Sequence, residues 1–435
     1  MDHFEYRDGE LWAEGVRLAD VAQSVGTPLY VYASATLALH LARLTDAFAP
    51  LRARVHFAVK SLPNTEVLRL LGSLGSGMDV VSGGELERVR RAGVPMDRVS
   101  FAGVGKSEAE IARAIALGVG WINAESEHEV RMIAQLAESA GRRPSVCLRV
   151  NPGIDARTHA YITTGTRANK FGVGFDAARA VFDRFARDPR LRLRGLHVHV
   201  GSLVGDPSVH TEAVAKILSL ADDLDAAGHP IDTLNLGGGF GADYRTGQTP
   251  SAAAYAAAVV PLLKDRAARG TTIIIEPGRF IAANAGVLLT RVRDLKPGDA
   301  GRTFAVCDAG MITLLRPALY GAFHFVWPVS PAGGLVPKRR EPEPPLEGLS
   351  LYDVVGPVCE SGDFLAQGRP LPTLERGDLL AVFASGAYGM SMASTYNDQP
   401  RPAEVLVDGD ARRVVRRRET TDDLFRFDTG LGDPA

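Results

Sequence analysis

Cysteine is nearly absent: Cys147, Cys307 and Cys359 are the only three in 435 residues, and none belongs to a Cys-x-x-Cys. They are too few and too scattered for a disulfide framework, and no motif suggests zinc. Net charge is missing too. The 49 Lys and Arg nearly offset the 51 Asp and Glu, leaving −2, so nothing draws the chain to nucleic acid or an anionic membrane. No stretch approaches the roughly 18 unbroken apolar residues of a membrane span. Met1-Asp2-His3-Phe4-Glu5 lacks the basic and apolar regions of a signal peptide. These absences point to a cytoplasmic protein whose partners are small molecules or copies of itself, with no nucleic acid and no membrane.

The length exceeds one ordinary core, so two domains are expected. Short β-branched or apolar runs recur at Val55–Lys60, Met78–Ser82, Val99–Gly103, Trp121–Glu125, Val146–Asn151, Leu196–Gly201, Thr233–Leu236 and Thr272–Glu276. Between them lie stretches of helical periodicity such as Ser107–Gly118 and Glu127–Gly141. Ser107 with Glu110 fits a capping box, and Gly118 a helix stop. Eightfold strand–helix alternation is the arithmetic of an α/β fold, a (β/α)8 TIM-like barrel; a doubly wound sheet alternates similarly. After Ala285 the texture changes. Val287–Val292, Thr303–Asp308, Tyr352–Val355, Leu379–Phe383 and Glu404–Val407 read as strands separated by Gly/Pro turns, which predicts a C-terminal all-β barrel or sandwich. Residues 1–33 are turn-rich and are assigned to that β domain, 34–284 to the barrel and 285–435 to the β domain proper. Pro328–Pro345 reads as an exposed loop.

Several runs end in residues able to do chemistry, where a barrel carries it. Lys60 closes the first, and a walled strand end can depress an amine pKa enough for Schiff-base work; an ordinary surface lysine is the plain alternative. Leu236-Gly237-Gly238-Gly239-Phe240-Gly241 lets backbone N–H groups approach a phosphate, or is merely a tight turn. It is not Gly-x-Gly-x-x-Gly, and Gly105-Lys106-Ser107 lacks the first glycine of a Walker motif. His197 and His199 share a strand face by their spacing. They could be structural or ligate metal, although no neighbouring Cys or carboxylate cluster completes a site, and no metal is expected. Glu276-Pro277-Gly278-Arg279 offers a carboxylate, free backbone donors and a planar fork, or an ordinary salt bridge at a turn. The set as a whole can hold pyridoxal 5'-phosphate (PLP): a lysine for the aldehyde, His199 stacked on the ring, and Glu276 at the pyridine nitrogen. Farther on, Gly356–Asp363 and Gly386-Ala387-Tyr388-Gly389 are polar groups bracketed by glycines, and Arg316-Pro317-Ala318-Leu319-Tyr320 is unremarkable alone.

In joint order and spacing these residues resemble the fold-type III PLP-dependent decarboxylases, and within them the diaminopimelate decarboxylase family. The resemblance runs through Phe57–Lys60, Met78–Glu85, His199–Ser202, the triple glycine, Glu276–Arg279, Arg316–Tyr320, Cys359–Asp363 and Gly386–Gly389. It implies an N-terminal PLP-binding barrel joined to a β domain that also takes in the first stretch of chain. It implies Lys60 as the cofactor lysine and His199 stacked on the ring. Ser202, Gly238, Gly239, Glu276, Gly278, Arg279 and Tyr388 would hold the rest of the cofactor. Arg279, Arg316, Tyr320, Glu360 and Tyr388 would bind an amino-acid substrate. Cys359 and Glu360 would enter from the second subunit of a homodimer, and Cys359 or Lys60 would return a proton to Cα.

The implied reaction is decarboxylation of meso-2,6-diaminopimelate to L-lysine, the last step of lysine biosynthesis. Arg279 and Arg316 would pair with the distal carboxylate and Glu360 with the distal ammonium. The alternatives are a decarboxylase of ornithine, arginine or carboxynorspermidine, or a non-catalytic PLP-binding regulator. Two stretches depart from the family pattern. Lys60-Ser61-Leu62-Pro63-Asn64 stands where Lys-Ala-Asn-x-Asn is usual, and Met311-Ile312-Thr313-Leu314 where Met-Asn-Asp-Leu is common.

Overall fold

A computed structural model describes residues 2–154, 170–299 and 301–429. The chain divides into two compact units, Ala38–Ala242 with Thr249–Ile281, and Met1–Leu37 with Asp243–Gln248 and Ala282–Ala435.

The first unit is a closed barrel of eight parallel strands: β1 (Arg54–Ala58), β2 (Gly77–Val80), β3 (Val99–Phe101), β4 (Trp121–Ala124), β5 (Ser145–Arg149), β6 (Arg192–His197), β7 (Thr233–Asn235) and β8 (Thr272–Ile275). Each pairs with its sequence neighbours, and β8 closes on β1. Closure excludes the doubly wound alternative. The strands are largely buried on both faces because helices cover the outside and side chains fill the inside, with polar residues such as Asp79, Asn123 and Asn235 among them. The helices start where side chains can accept the orphan N–H groups of a first turn. Asn64, Ser82, Ser107, Ser126, Asp206 and Ser251 do so for the helices beginning at Thr65, Gly83, Glu108, Glu127, Pro207 and Ala252. The Ser107–Glu110 capping box forms, and Gly118 ends that helix at φ 72°. Helix Glu127–Ala140 buries Val130, Ile133, Ala134 and Ala137, a helical stripe whose larger side chains contribute about 1.5–3 kcal/mol each.

The expected strands begin within a few residues of the observed ones and overrun them at the carboxyl end. Val55–Lys60 stops pairing at Ala58, and Val59–Ser61 is a 3-10 turn. Leu196–Gly201 stops at His197, so His199 lies beyond the strand and does not share a strand face with His197. Apolar residues just past the strand ends, such as Val59, Val81, Val150, Val198 and Leu236, extend the strand-like composition, but the backbone has already left the ladder to form the barrel mouth.

The second unit is β-rich. Its main path runs Phe364–Leu371, Ser350–Val355, Thr303–Cys307, Gly286–Pro297, Leu29–Ala33, Ala403–Asp408, Ala411–Arg416. Gly286–Pro297 spans two regions: its first half pairs with Leu29–Ala33 and Leu379–Val382, and its second half, past a bulge at Val292/Asp294, with Thr303–Cys307. Leu29–Ala33 is wholly buried between neighbours. Phe4–Arg7, Glu10–Ala13 and Val16–Arg17 form a separate antiparallel sheet. Most of Pro328–Pro345 is irregular, tied down where Trp327 Nε1 donates to the Leu335 carbonyl and the Arg340 N–H to Thr246 Oγ1. Among the described residues no helix is long and apolar enough to cross a membrane.

Candidate active site

The barrel mouth gathers its polar side chains from different strand ends. Lys60 sits on the 3-10 turn after β1, and its Nζ lies 3.1 Å from Asp79 Oδ2 on β2. The lysine side chain is 39% exposed while that of Asp79 is 0%, so an amine open to ligand is tied to a fully buried carboxylate. Burial raises the Asp79 pKa to about 7, and the Glu276 charge adds to this while Lys60 opposes it.

Glu276 follows β8. Its Oε1 accepts from Asn235 Nδ2 at 2.6 Å and Asn123 Nδ2 at 3.3 Å, and its Oε2 from His197 Nε2 at 3.2 Å. Burial alone would raise its pKa. The His197 charge and hydrogen bond, Lys60 and Asn235 together outweigh burial and hold it well below the ordinary carboxylate range. Two buried carboxylates thus diverge: Glu276 is held ionised by donors, and Asp79 is driven toward the neutral form by burial.

His199 is half-buried. Its Nδ1 accepts the Gly238 N–H at 3.0 Å, which leaves the proton of the neutral ring on Nε2. Burial first, then Arg149 and Lys60, lower its pKa well below the usual value. The glycines are there because the backbone passes so close. A Cβ on Gly237 would meet His199 Nδ1 and the Val198 carbonyl, and one on Gly238 the Glu276 carbonyl. Gly237 and Gly239 also take φ 67° and 103°, which glycine alone adopts readily. At Gly278 a Cβ would lie 2.9 Å from Ser61 Oγ and 3.0 Å from Ala58 Cβ. Arg279 is buried and donates from Nε and Nη2 to Ser202 Oγ at 3.2 and 3.0 Å.

PLP fits this donor set. Glu276 Oε2 takes one donor and keeps lone-pair capacity for a protonated ring nitrogen, and the hydrogen bond on His199 lies in the ring plane, clear of its faces. The glycine turns bring backbone close to one another with Ser202 and Arg279 beside them, the kind of surface that cradles a phosphate.

Five of the expected site residues lie in the second unit. Arg316 opens the short helix Arg316–Tyr320 and is buried. Cys359 and Glu360 are exposed on a loop held by Asp363, whose carboxylate accepts the Met311 N–H at 2.6 Å and the Val358 N–H at 2.7 Å. The Cys359 N–H donates to Asn397 Oδ1 at 3.3 Å. Tyr388 is half-buried at φ 57°, a left-handed conformation uncommon for a non-glycine residue. Both departures from the family pattern have local roles. Ser61 Oγ closes its turn on the Ala58 carbonyl, and Thr313 Oγ1 accepts the Gly310 N–H.

Sequence reasoning left Asp79, Asn123, Asn235 and His197 unassigned. Each is a buried polar residue on a barrel strand next to apolar neighbours, and that is the signal by which they could be found: such a group must have a partner. The Arg149–Glu125 pair, 2.7 Å apart and buried at the ends of β5 and β4, was equally unforeseen. Among the described residues no group of three or more His, Cys, Asp or Glu is arranged for a metal.

A family model described as the pyridoxal binding domain of pyridoxal-dependent decarboxylases matches residues 35–283. The chain is 44% identical to the diaminopimelate decarboxylase of Vibrio cholerae, over 99% of this chain and 100% of that one. It is 45% identical to that of Pseudomonas aeruginosa, over 98% of each. Among solved structures, the Helicobacter pylori diaminopimelate decarboxylase complexed with L-lysine superposes with a TM-score of 0.87 at 37% identity, covering 94% of this chain and 98% of that one. The M. jannaschii enzyme in co-complex with L-lysine gives 0.90 at 32%, covering 98% of each. A lysine/ornithine decarboxylase from Vibrio vulnificus, at 22% identity and a TM-score of 0.76, shares the fold.

Proposed function

The chain belongs to the diaminopimelate decarboxylase family of pyridoxal-dependent enzymes, and from that premise we infer that it decarboxylates meso-2,6-diaminopimelate to L-lysine and CO2. The observation that carries this reading is the barrel mouth itself, with Lys60 beside Asp79, His199 turned by Gly238, and Glu276 held ionised by His197 and Asn235.

Bound PLP supplies the electron sink that lets a Cα–carboxylate bond break. The protein's part is orientation and charge. Lys60 Nζ is the amine that anchors the cofactor, and Asp79 holds that amine when it is released. Glu276 keeps a negative charge where a protonated ring nitrogen would lie. Neutral His199 offers an uncharged face for the ring. Ser202, Gly238, Gly239, Gly278 and Tyr388 hold the phosphate and its surroundings, with Arg279 joining cofactor and substrate. Arg279, Arg316, Tyr320 and Tyr388 bind substrate, the two arginines reading the distal carboxylate and Glu360 the distal ammonium. Lys60 and Cys359 are the candidate donors of the proton that returns to Cα. The same reading makes the enzyme a cytoplasmic homodimer with Cys359 and Glu360 contributed across subunits, in keeping with their exposure on this chain.

The direct test is CO2 release by the PLP-loaded protein from meso-diaminopimelate, run beside L-lysine, D-lysine, L-ornithine and L-arginine. Release from diaminopimelate alone is expected. Release only from a diamine amino acid would overturn the substrate while sparing the Lys60 chemistry.

A further inference from the structure

A substrate-reading arginine is useful only if its guanidinium is fixed, and Arg316 is held by two groups of its own unit. Its Nη1 lies 2.8 Å from His324 Nε2. The other ring nitrogen, Nδ1, lies 2.9 Å from the Phe383 carbonyl oxygen. A guanidinium only donates and a carbonyl only accepts. Nε2 must therefore be bare and Nδ1 must carry the proton, so two one-way partners pin both the tautomer and the ring. His324 is 0% exposed, so water cannot substitute for either bond. Tyr244 completes the grip. Its ring meets His324 edge-on, 5.2 Å between centroids and 82° between planes, and the Arg316 guanidinium carbon lies 4.6 Å from the Tyr244 centroid.

We propose that His324 and Tyr244 are positioning residues that fix the Arg316 guanidinium for the distal carboxylate of the substrate, so that specificity depends on a histidine that itself touches no ligand. This rests on the reading of Arg316 as a substrate arginine. A long arginine side chain otherwise loses rotamer freedom on binding; here that loss has been taken in folding.

The test is steady-state kinetics of the PLP-loaded enzyme with meso-diaminopimelate for Arg316→Ala, His324→Phe, His324→Gln, Tyr244→Leu and the double variant R316A/H324F. His324→Phe keeps the ring volume and removes the acceptor. It should raise KM roughly tenfold with kcat within about threefold, the scale of one lost charge-assisted hydrogen bond. His324→Gln offers Nη1 a carbonyl oxygen and is expected within about threefold of wild type. The double variant should be no worse than Arg316→Ala by more than about twofold, because His324 acts through the arginine. Wild-type KM in His324→Phe, or losses that multiply in the double variant, would overturn the proposal. Arg316→Ala within about threefold of wild-type kcat/KM would instead remove the substrate role of the arginine. Where His324→Phe does not accumulate folded, Tyr244→Leu carries the test, with KM expected up about fivefold and an unchanged KM overturning it.

Discussion

The two units position their chemistry differently. In the barrel, Lys60, Asp79, Asn123, His197, Asn235 and Glu276 come from β1, β2, β4, β6, β7, β8 or the turns after them, and each is fixed by another strand's side chain. In the second unit, the Cys359 loop is held through its backbone: Asp363 accepts the Val358 and Met311 N–H groups and Asn397 Oδ1 the Cys359 N–H, while Tyr388 takes a left-handed backbone conformation. The first arrangement is collective. Altering one buried charge leaves its partners uncompensated, and the reaction is lost. The second holds backbone and leaves the Cys359 and Glu360 side chains exposed. A turn held in this way can change its exposed residues with little consequence for the fold.

The sharpest way to break this contrast is Lys60→Ala. It should lower kcat by about a thousandfold or more and abolish the visible absorption of the PLP-loaded protein. Retained colour would remove Lys60 from its role. Next, Glu276→Gln keeps the amide-sized shape and removes the charge that His197 and Lys60 face. A drop in kcat of about a hundredfold is expected, the size of one lost electrostatic contact to developing charge. A loss under about threefold would mean that the buried charge does not act on the reaction.

Acid sensitivity should also follow the barrel. Burial, helped by Arg54, lowers the His56 pKa from 6.5 to about 4 against the pull of Glu276. The unfolded chain takes up the proton first as pH falls below 6.5, so His56 stabilises the fold above that value and loses its contribution between pH 6.5 and 4. That contribution is about 3 kcal/mol at most. His199 and His210 are shifted in the same direction, and Asp79, raised to about 7, opposes them across the window. Urea midpoints at pH 8 and pH 4.5 should diverge less in His56→Gln than in wild type; equal divergence would contradict the assignment.

The smallest effect on stability is expected at Cys359. Exposed on its loop, Cys359→Ala should change stability by less than about 0.5 kcal/mol while removing activity. Mixed with Lys60→Ala under subunit exchange, it should restore about a quarter of wild-type activity if sites are shared across a two-site dimer. No recovery despite exchange would assign Cys359 to its own subunit's site.

Much was legible in the chain. Eight apolar runs alternating with capped helical stretches were enough for an alternating α/β fold, because buried strands read as apolar runs and orphan N–H groups favour Asn, Asp or Ser at helix starts; closure, which separates the barrel from a doubly wound sheet, came from the pairing of β8 with β1. Strands Phe364–Leu371 and Ala411–Arg416 were not legible. The first contains Gly368 and Pro370, which read as a turn, and the second is Arg-rich. Lys60, His199, Glu276 and the glycine run stood out as chemical groups ending apolar runs, a pattern that one dimension preserves.

What only the tertiary structure decided was partnership. That Asp79 faces Lys60, that His197 rather than His199 holds Glu276, and that His324 accepts from Arg316 depend on strand register and on which loops meet. Sequence spacing fixes which face of a strand a side chain takes, but hydrogen bonds and pKa values are set by neighbours as far as 153 positions away along the chain. Burial disfavours the charge on both carboxylates; donors outweigh it at Glu276 and not at Asp79.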